Sequence, residues 1–235
     1  MQVTTIGLDL AKNIFQVHGV REVGAVAFNR PVRRAQLLNF FKKQPPCLVG
    51  MEACGSSHYW GRELTKLGHD VRRMAPVYVK PYVKRGKSDA ADAEAICEAV
   101  TRPTMRFVPI KSVEQQGVLT QHRVRELLIR QRTQLSNNIR ALVGEFGYII
   151  RKGVNYIRDF AIDMRAGGID GIPSMARSAI TALCRQFLEL NEKLIKVEKE
   201  IVRVARKDKR VQLLQTIPGV GPINASAIVA TIGSG

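Results

Sequence analysis

The sequence predicts an α/β fold over its first hundred residues and a helical region after it. Three observations carry this. β-branched, apolar stretches at 3–10, 14–20 and 24–29 follow one another with short connections; from residue 34 helical spacing alternates with short apolar runs; and from about residue 114 apolar residues recur at intervals of three and four. A chain of 235 residues with 45% hydrophobic and 24% charged side chains is too apolar to be disordered, and it is long enough for one large domain or two smaller ones.

The first three stretches (VTTIGLDL, IFQVHGV and GAVAFN) read as an antiparallel meander. Leu37, Leu38, Phe40 and Phe41 then fall at helical spacing over 34–43, and Pro45 and Pro46 end that helix before CLVGMEA, a strand of buried type. A helix over about 56–67 stops at Gly68. HDVRRMAP reads as a fifth strand, and a basic loop holding Lys80, Lys84, Arg85 and Lys87 leads to a helix over about 88–100. The order β-β-β-α-β-α-β-α is the ribonuclease-H-like order, which several other α/β folds share.

A helix over about 114–146 carries Leu128, Leu135, Ile139, Leu142 and Phe146 along one stripe, with Arg123, Arg125, Arg130, Arg132 and Arg140 elsewhere. From Leu183 the series Leu183, Phe187, Leu190, Leu194, Val197, Ile201, Val204 alternates steps of four and three, which predicts a coiled-coil seam. A glycine-rich connection at about 148–174 lies between the two helices. They can fold back on one another, or each can pair with its copy in a second subunit; spacing does not choose.

Acidic residues are scarce in the first half, and four of them occupy telling places. Asp9 lies inside the first apolar strand, Glu52 ends the strand CLVGME, and Asp89 and Asp92 are three apart at a helix start, so both project from one face. Gathered at one end of a sheet, such carboxylates would hold Mg²⁺, which prefers hard oxygen ligands, and a pair of such ions serves phosphodiester chemistry. Each has a plainer reading: Asp89 after Ser88 as a helix-start charge, Glu52 as a solvated strand end. Asp9 resists one, because a carboxylate in apolar surroundings is costly unless paired or bound to metal.

Residues 1–105 hold 16 basic against 9 acidic side chains and the remainder 21 against 11, so the formal charge of +17 is spread through folded sequence. That favours a polyanionic partner. The arginines of the 114–146 helix, with Lys84, Arg85 and Lys87, are candidates for a backbone track, the plainer reading being a solvated face. Cys47, Cys54, Cys97 and Cys184 lack zinc-ligand spacing and read as reduced packing thiols; His18, His58, His69 and His122 show no metal-binding spacing either. No membrane-length apolar run or signal pattern is present, and a cytoplasmic location is expected. Near the end, LLQTIPGVGPINASAIVATI reads as a helix end, a turn containing Gly219 and Gly221, and a small-residue helix; the turn resembles a helix-hairpin-helix element whose glycines let backbone N–H groups approach a phosphate.

GLDLAK around Asp9, MEACG around Glu52, KSDAADA around Asp89 and Asp92, and the late IPGVGP together resemble the DEDD-type transposases of bacterial insertion sequences, relatives of the Piv DNA invertase. The resemblance spans almost the whole chain. It implies a RuvC-like, metal-binding domain over 1–105, a helical coiled-coil region over 106–209, and the start of a helical C-terminal transposase domain over 210–235. It also implies Asp9, Glu52, Asp89 and Asp92 as a catalytic tetrad holding Mg²⁺, a bacterial recombinase acting on element ends and target DNA, guidance by a structured bridge RNA, and assembly as homo-dimers or higher oligomers. The family's nucleophilic serine lies downstream of the IPGVGP turn, and neither Ser226 nor Ser234 matches it. The expectation is therefore a truncated chain that binds nucleic acid and Mg²⁺ but does not complete strand exchange alone. The alternative from another class is a metal-dependent Holliday-junction resolvase or nuclease that uses water as nucleophile and needs no serine. A third is a non-catalytic nucleic-acid scaffold.

Overall fold

A computed structural model of the chain describes residues 2–84, 86 and 88–232. Arg85, Lys87 and Ser234 lie outside the described residues. The chain divides into two compact units, Met1–Ser112 and Val113–Gly235.

The first unit is built on one six-stranded sheet. Strands β1 (Val3–Asp9), β2 (Ile14–Arg21) and β3 (Val26–Arg33) form the antiparallel meander. A 3₁₀ turn and helix α1 (Leu37–Lys42) lead to β4 (Leu48–Glu52), then α2 (Ser57–Lys66), β5 (Asp70–Met74), the short α3 (Pro76–Val79), α4 (Asp89–Ala99) and the two-residue β6 (Phe107–Val108). The strand order is β3-β2-β1-β4-β5-β6. β4 runs parallel to both β1 and β5, and β6 closes the far edge antiparallel to β5. This mixed α/β architecture is consistent with a ribonuclease-H-like fold.

Alternation along the strands sorts side chains between two covers. Ile6, Leu8, Phe15, Val17, Val49 and Met51 meet α1 and α2 through Leu37, Phe41, Trp60 and Leu64. On the other side α4 packs over β1, β2 and β4. Its approach is very close at Gly7, where an added Cβ would lie 2.1 Å from the Ala93 carbonyl oxygen. Only glycine lets the helix sit so near the strand.

β3 continues to Arg33, beyond the end expected at residue 29. Pro31 makes the sequence look broken there, but β3 is an edge strand, where a missing N–H is tolerated. β6 was not expected, since two residues leave no periodic signal.

The second unit is helical: α5 (Val113–Gly144), α6 (Val154–Ala166), α7 (Ser174–Ala205), α8 (Lys209–Leu214) and α9 (Pro222–Ile232). α5 and α7 lie antiparallel within the chain, for Arg125 meets Glu198 while Arg132 meets Asn191. Ile139 and Val143 of α5 pack with Ile180, Cys184 and Phe187 of α7. The α7 stripe is thus used inside the chain, with Phe187, Leu190, Leu194 and Ile201 buried. The glycine-rich connection at 148–174 needs correction, because it contains α6, whose Ile157, Ala161 and Met164 seal the same core. Gly219 has φ +84 and turns the chain between α8 and α9, a conformation that favours glycine. Among the described residues no helix is long and apolar enough to cross a membrane.

Candidate metal centre

Asp9 ends β1 and Glu52 ends β4. The parallel ladder pairs Gly7 with Gly50 and Leu8 with Met51, so continuing it by one residue brings Asp9 and Glu52 side by side at the carboxyl ends of these two central strands. By strand alternation both carboxylates share the face of Gly7, which α4 covers. The third and fourth acids come from the start of α4. Ser88 is its N-cap, the hydroxyl accepting a hydrogen bond from the Ala91 N–H at 3.2 Å, and this fixes the first turn that carries Asp89 and Asp92. Acids there complement the positive end of the helix.

Carboxylate oxygens of Asp9, Asp89 and Asp92 all lie within 4.8 Å of one another. Glu52 is outside that tight trio but feels it. Burial pushes the Asp9 carboxyl above its ordinary value of 3.8, and Asp92 and Asp89 push it further, against a backbone hydrogen bond from Leu10 that pulls it down. Burial likewise raises Glu52 above 4.5, followed by repulsion from Asp9 and Asp92. Elsewhere in the first unit Glu63, Asp70, Glu94 and Glu98 each sit against a lysine or arginine. Among the described residues no such partner meets the four acids at this end of the sheet. A set of oxygen donors with excess negative charge, Asp9, Glu52 and Asp92 half-buried and Asp89 exposed, suits a hard divalent cation.

The basic residues singled out in the sequence fare differently. Lys84 pairs with Glu94, and Arg130 with Glu126 at 3.1 Å, while Arg132 donates to Asn191 Oδ1 at 3.1 Å. Arg123 is exposed, as are Gly219 and Gly221. Ser226, already set aside as a nucleophile match, is buried, with its hydroxyl 3.1 Å from His122 Nε2. Cys47, Cys97 and Cys184 are buried, and burial pushes their thiols up to about 11, about 12 and about 11, as befits packing residues.

Sequence reading missed Arg73, on β5 opposite Met51 and on the other face of the sheet from Glu52. It is 3% exposed, donates to Ser57 Oγ at 2.9 Å and to the Pro109 carbonyl at 3.0 Å, and lies 2.9 Å from His58 Nδ1. It pins β5, the start of α2 and the segment after β6 together behind the acidic end of the sheet. The alternation Val71, Arg73 in HDVRRM, with Val71 facing the core, was the signal for it.

Residues 6–147 match the family of DEDD transposases of the IS110 type, described as Transposase. The chain is 48% identical over 234 residues to a protein of Pseudomonas aeruginosa named "Probable family 20 transposase", covering 99% of this chain and 69% of the relative. It is 36% identical to the transposase of insertion element IS1328 from Yersinia enterocolitica, covering 99% and 69%. To the IS1111A transposase of Coxiella burnetii it is 35% identical, covering 98% and 64%.

Proposed function

Since this chain belongs to the DEDD transposases of the IS110 family, we propose that its first unit is the metal-binding part of an insertion-sequence recombinase. In this reading Asp9, Glu52, Asp89 and Asp92 hold Mg²⁺ against a phosphodiester of the element ends or target DNA. The convergence of Asp9, Asp89 and Asp92 within 4.8 Å is the observation that carries it. Bound there, Mg²⁺ supplies charge to offset the developing negative charge on the phosphate. The chain's own contribution is positional. β1 and β4 deliver two carboxylates in register, Ser88 fixes the turn that delivers the other two, and the close packing at Gly7 holds helix and sheet together.

The net charge of +17 supports a nucleic-acid partner. Guidance by a structured RNA, assembly as dimers, and a serine nucleophile from a C-terminal transposase domain rest on the family resemblance. The candidate phosphate contacts Lys84, Arg85, Lys87, Arg123, Arg130, Arg132, Gly219 and Gly221 belong to the same reading.

Calorimetric titration with Mg²⁺, and with Mn²⁺ as a tighter substitute, tests the centre. Binding by the 235-residue chain is expected, with loss in Asp9→Asn and in Asp92→Asn. Undiminished binding in both variants would sink the assignment. RNA transcribed from sequence flanking the gene is expected to bind in preference to an unrelated RNA of equal length, and equal binding would remove the guide.

A further inference from the structure

The Ser88 cap shapes the first turn of α4 from within, and the close contact at Gly7 seats the helix further along, at Ala93 and Cys97. Neither ties the end that carries Asp89 and Asp92 to the sheet, and like charge pushes that end away from Asp9. A separate tie runs through β2 and β3. Gln16 of β2 stands directly opposite Asp9 in the antiparallel ladder, so its side chain shares the face that α4 covers. Asn29 of β3 stands opposite His18, which is itself opposite Gly7, and lies on that face too. Gln16 Nε2 donates to Asn29 Oδ1 at 2.7 Å, and Asn29 Nδ2 donates to the Ala90 carbonyl oxygen at 3.2 Å. A backbone carbonyl only accepts, so it turns the Asn29 amide nitrogen toward itself and leaves Oδ1 for Gln16. Ala90 lies between Asp89 and Asp92. Among the described residues this is the one hydrogen bond from the sheet to the first turn of α4.

We propose that Gln16 and Asn29 are positioning residues that set the preference of the centre for Mg²⁺ over Ca²⁺, by holding Asp89 and Asp92 in place against Asp9. The inference rests on the metal-centre reading above. Mg²⁺ demands near-ideal octahedral geometry at about 2.0–2.1 Å, whereas Ca²⁺ accepts roughly six to eight oxygens at about 2.3–2.6 Å in flexible arrangements, so a site whose ligands drift loses Mg²⁺ first. Both amides are neutral, and Asn29 is exposed with Gln16 half-buried. Removing them leaves the charge of the site as it was and changes the stability of the fold little.

Calorimetric titration of the full chain with MgCl₂ and, separately, with CaCl₂ is the test, alongside thermal melts in a chelator. Asn29→Ala is expected to weaken Mg²⁺ binding about tenfold, as loss of an outer hydrogen-bond partner of a metal site does. The loss for Ca²⁺ should be smaller, so the ratio of the two affinities falls while the melting midpoint barely moves. Gln16→Ala, acting only through Asn29, should lower the ratio less. The double variant should be no worse than Asn29→Ala alone, because the two amides form one chain of bonds. Unchanged affinities overturn the proposal. So does an equal loss of both cations, or a lowered midpoint with the ratio intact, since either would reduce the pair to a structural contact. Asp9→Asn separates the two readings. If that variant still binds Mg²⁺, the centre falls and the positioning role with it; if it does not, an unchanged ratio in Asn29→Ala removes the positioning role alone.

Discussion

Both units pair acidic residues with lysine or arginine, but the first also holds one group of acids together that it does not pair. In the second, Glu126, Asp159, Glu198, Glu200 and Asp208 each lie against an arginine. In the first, Asp9, Asp89 and Asp92 are held together within 4.8 Å, and burial plus mutual repulsion pushes the carboxyls of Asp9 and Glu52 upward. A pair of opposite charges is a local answer to desolvation and contributes little when exposed. Like charges gathered at one end of a sheet weaken the metal-free protein, and the cation proposed above would balance them.

The largest expected effect separates the units as folding bodies. Phe187 is wholly buried in the α5–α6–α7 core, so Phe187→Ala should cost about 3–5 kcal/mol. Hydrogen exchange should then quicken across 113–232 while amides of β1 and β4 stay protected; simultaneous loss in both would mean that the units unfold together. Next, Gly7→Ala drives a Cβ into the Ala93 carbonyl and should destabilise the first unit by about 3 kcal/mol. It should also weaken Mg²⁺ binding without touching any carboxylate. Retained metal affinity in that variant would uncouple the helix–sheet contact from the centre.

A smaller effect carries the opposite sign. Asp9→Asn should abolish metal binding yet stabilise the metal-free chain, by on the order of 1 kcal/mol, because repulsion is lifted. The pH dependence follows the same logic. With Asp9 and Glu52 raised above 3.8 and 4.5, the folded state holds more protons than the unfolded state just above those values, so metal-free stability falls as pH rises through that window. Denaturant melts in a chelator from acid to neutral pH should show the fall, and Asp9→Asn should flatten it. Finally, Ser88→Ala removes the cap of α4 and should cost about 1 kcal/mol, with a modest loss of Mg²⁺ affinity. No loss of affinity would show that the capped turn does not set the positions of Asp89 and Asp92.

Much of the fold was legible because its signals are local. The apolar runs at β1, β2 and β4, the Ser88-Asp89 helix start, and the glycine turn before α9 each depend on a few neighbouring residues. α6 was hidden among glycines, although Ile157, Phe160, Ala161 and Met164 fall at helical spacing. β6 was too short to announce itself. Among the acids of the candidate centre only Asp9 stood out as a carboxylate where burial is costly; Glu52, Asp89 and Asp92 were marked by their places at a strand end and a helix start. The arginines misled by their number, since sequence distance conceals that Glu198 lies opposite Arg125.

By itself the sequence determined the element types, the acids worth watching and the overall positive charge, for these follow from composition and short-range periodicity. Only the tertiary structure decided that Asp9 meets Asp89 and Asp92, some eighty residues away. It alone decided that α5 folds back on α7, and which arginines are spent on ion pairs. Those outcomes hang on long-range packing, such as the approach of α4 over Gly7 and the antiparallel register of two helices, and no local pattern encodes the register between distant segments.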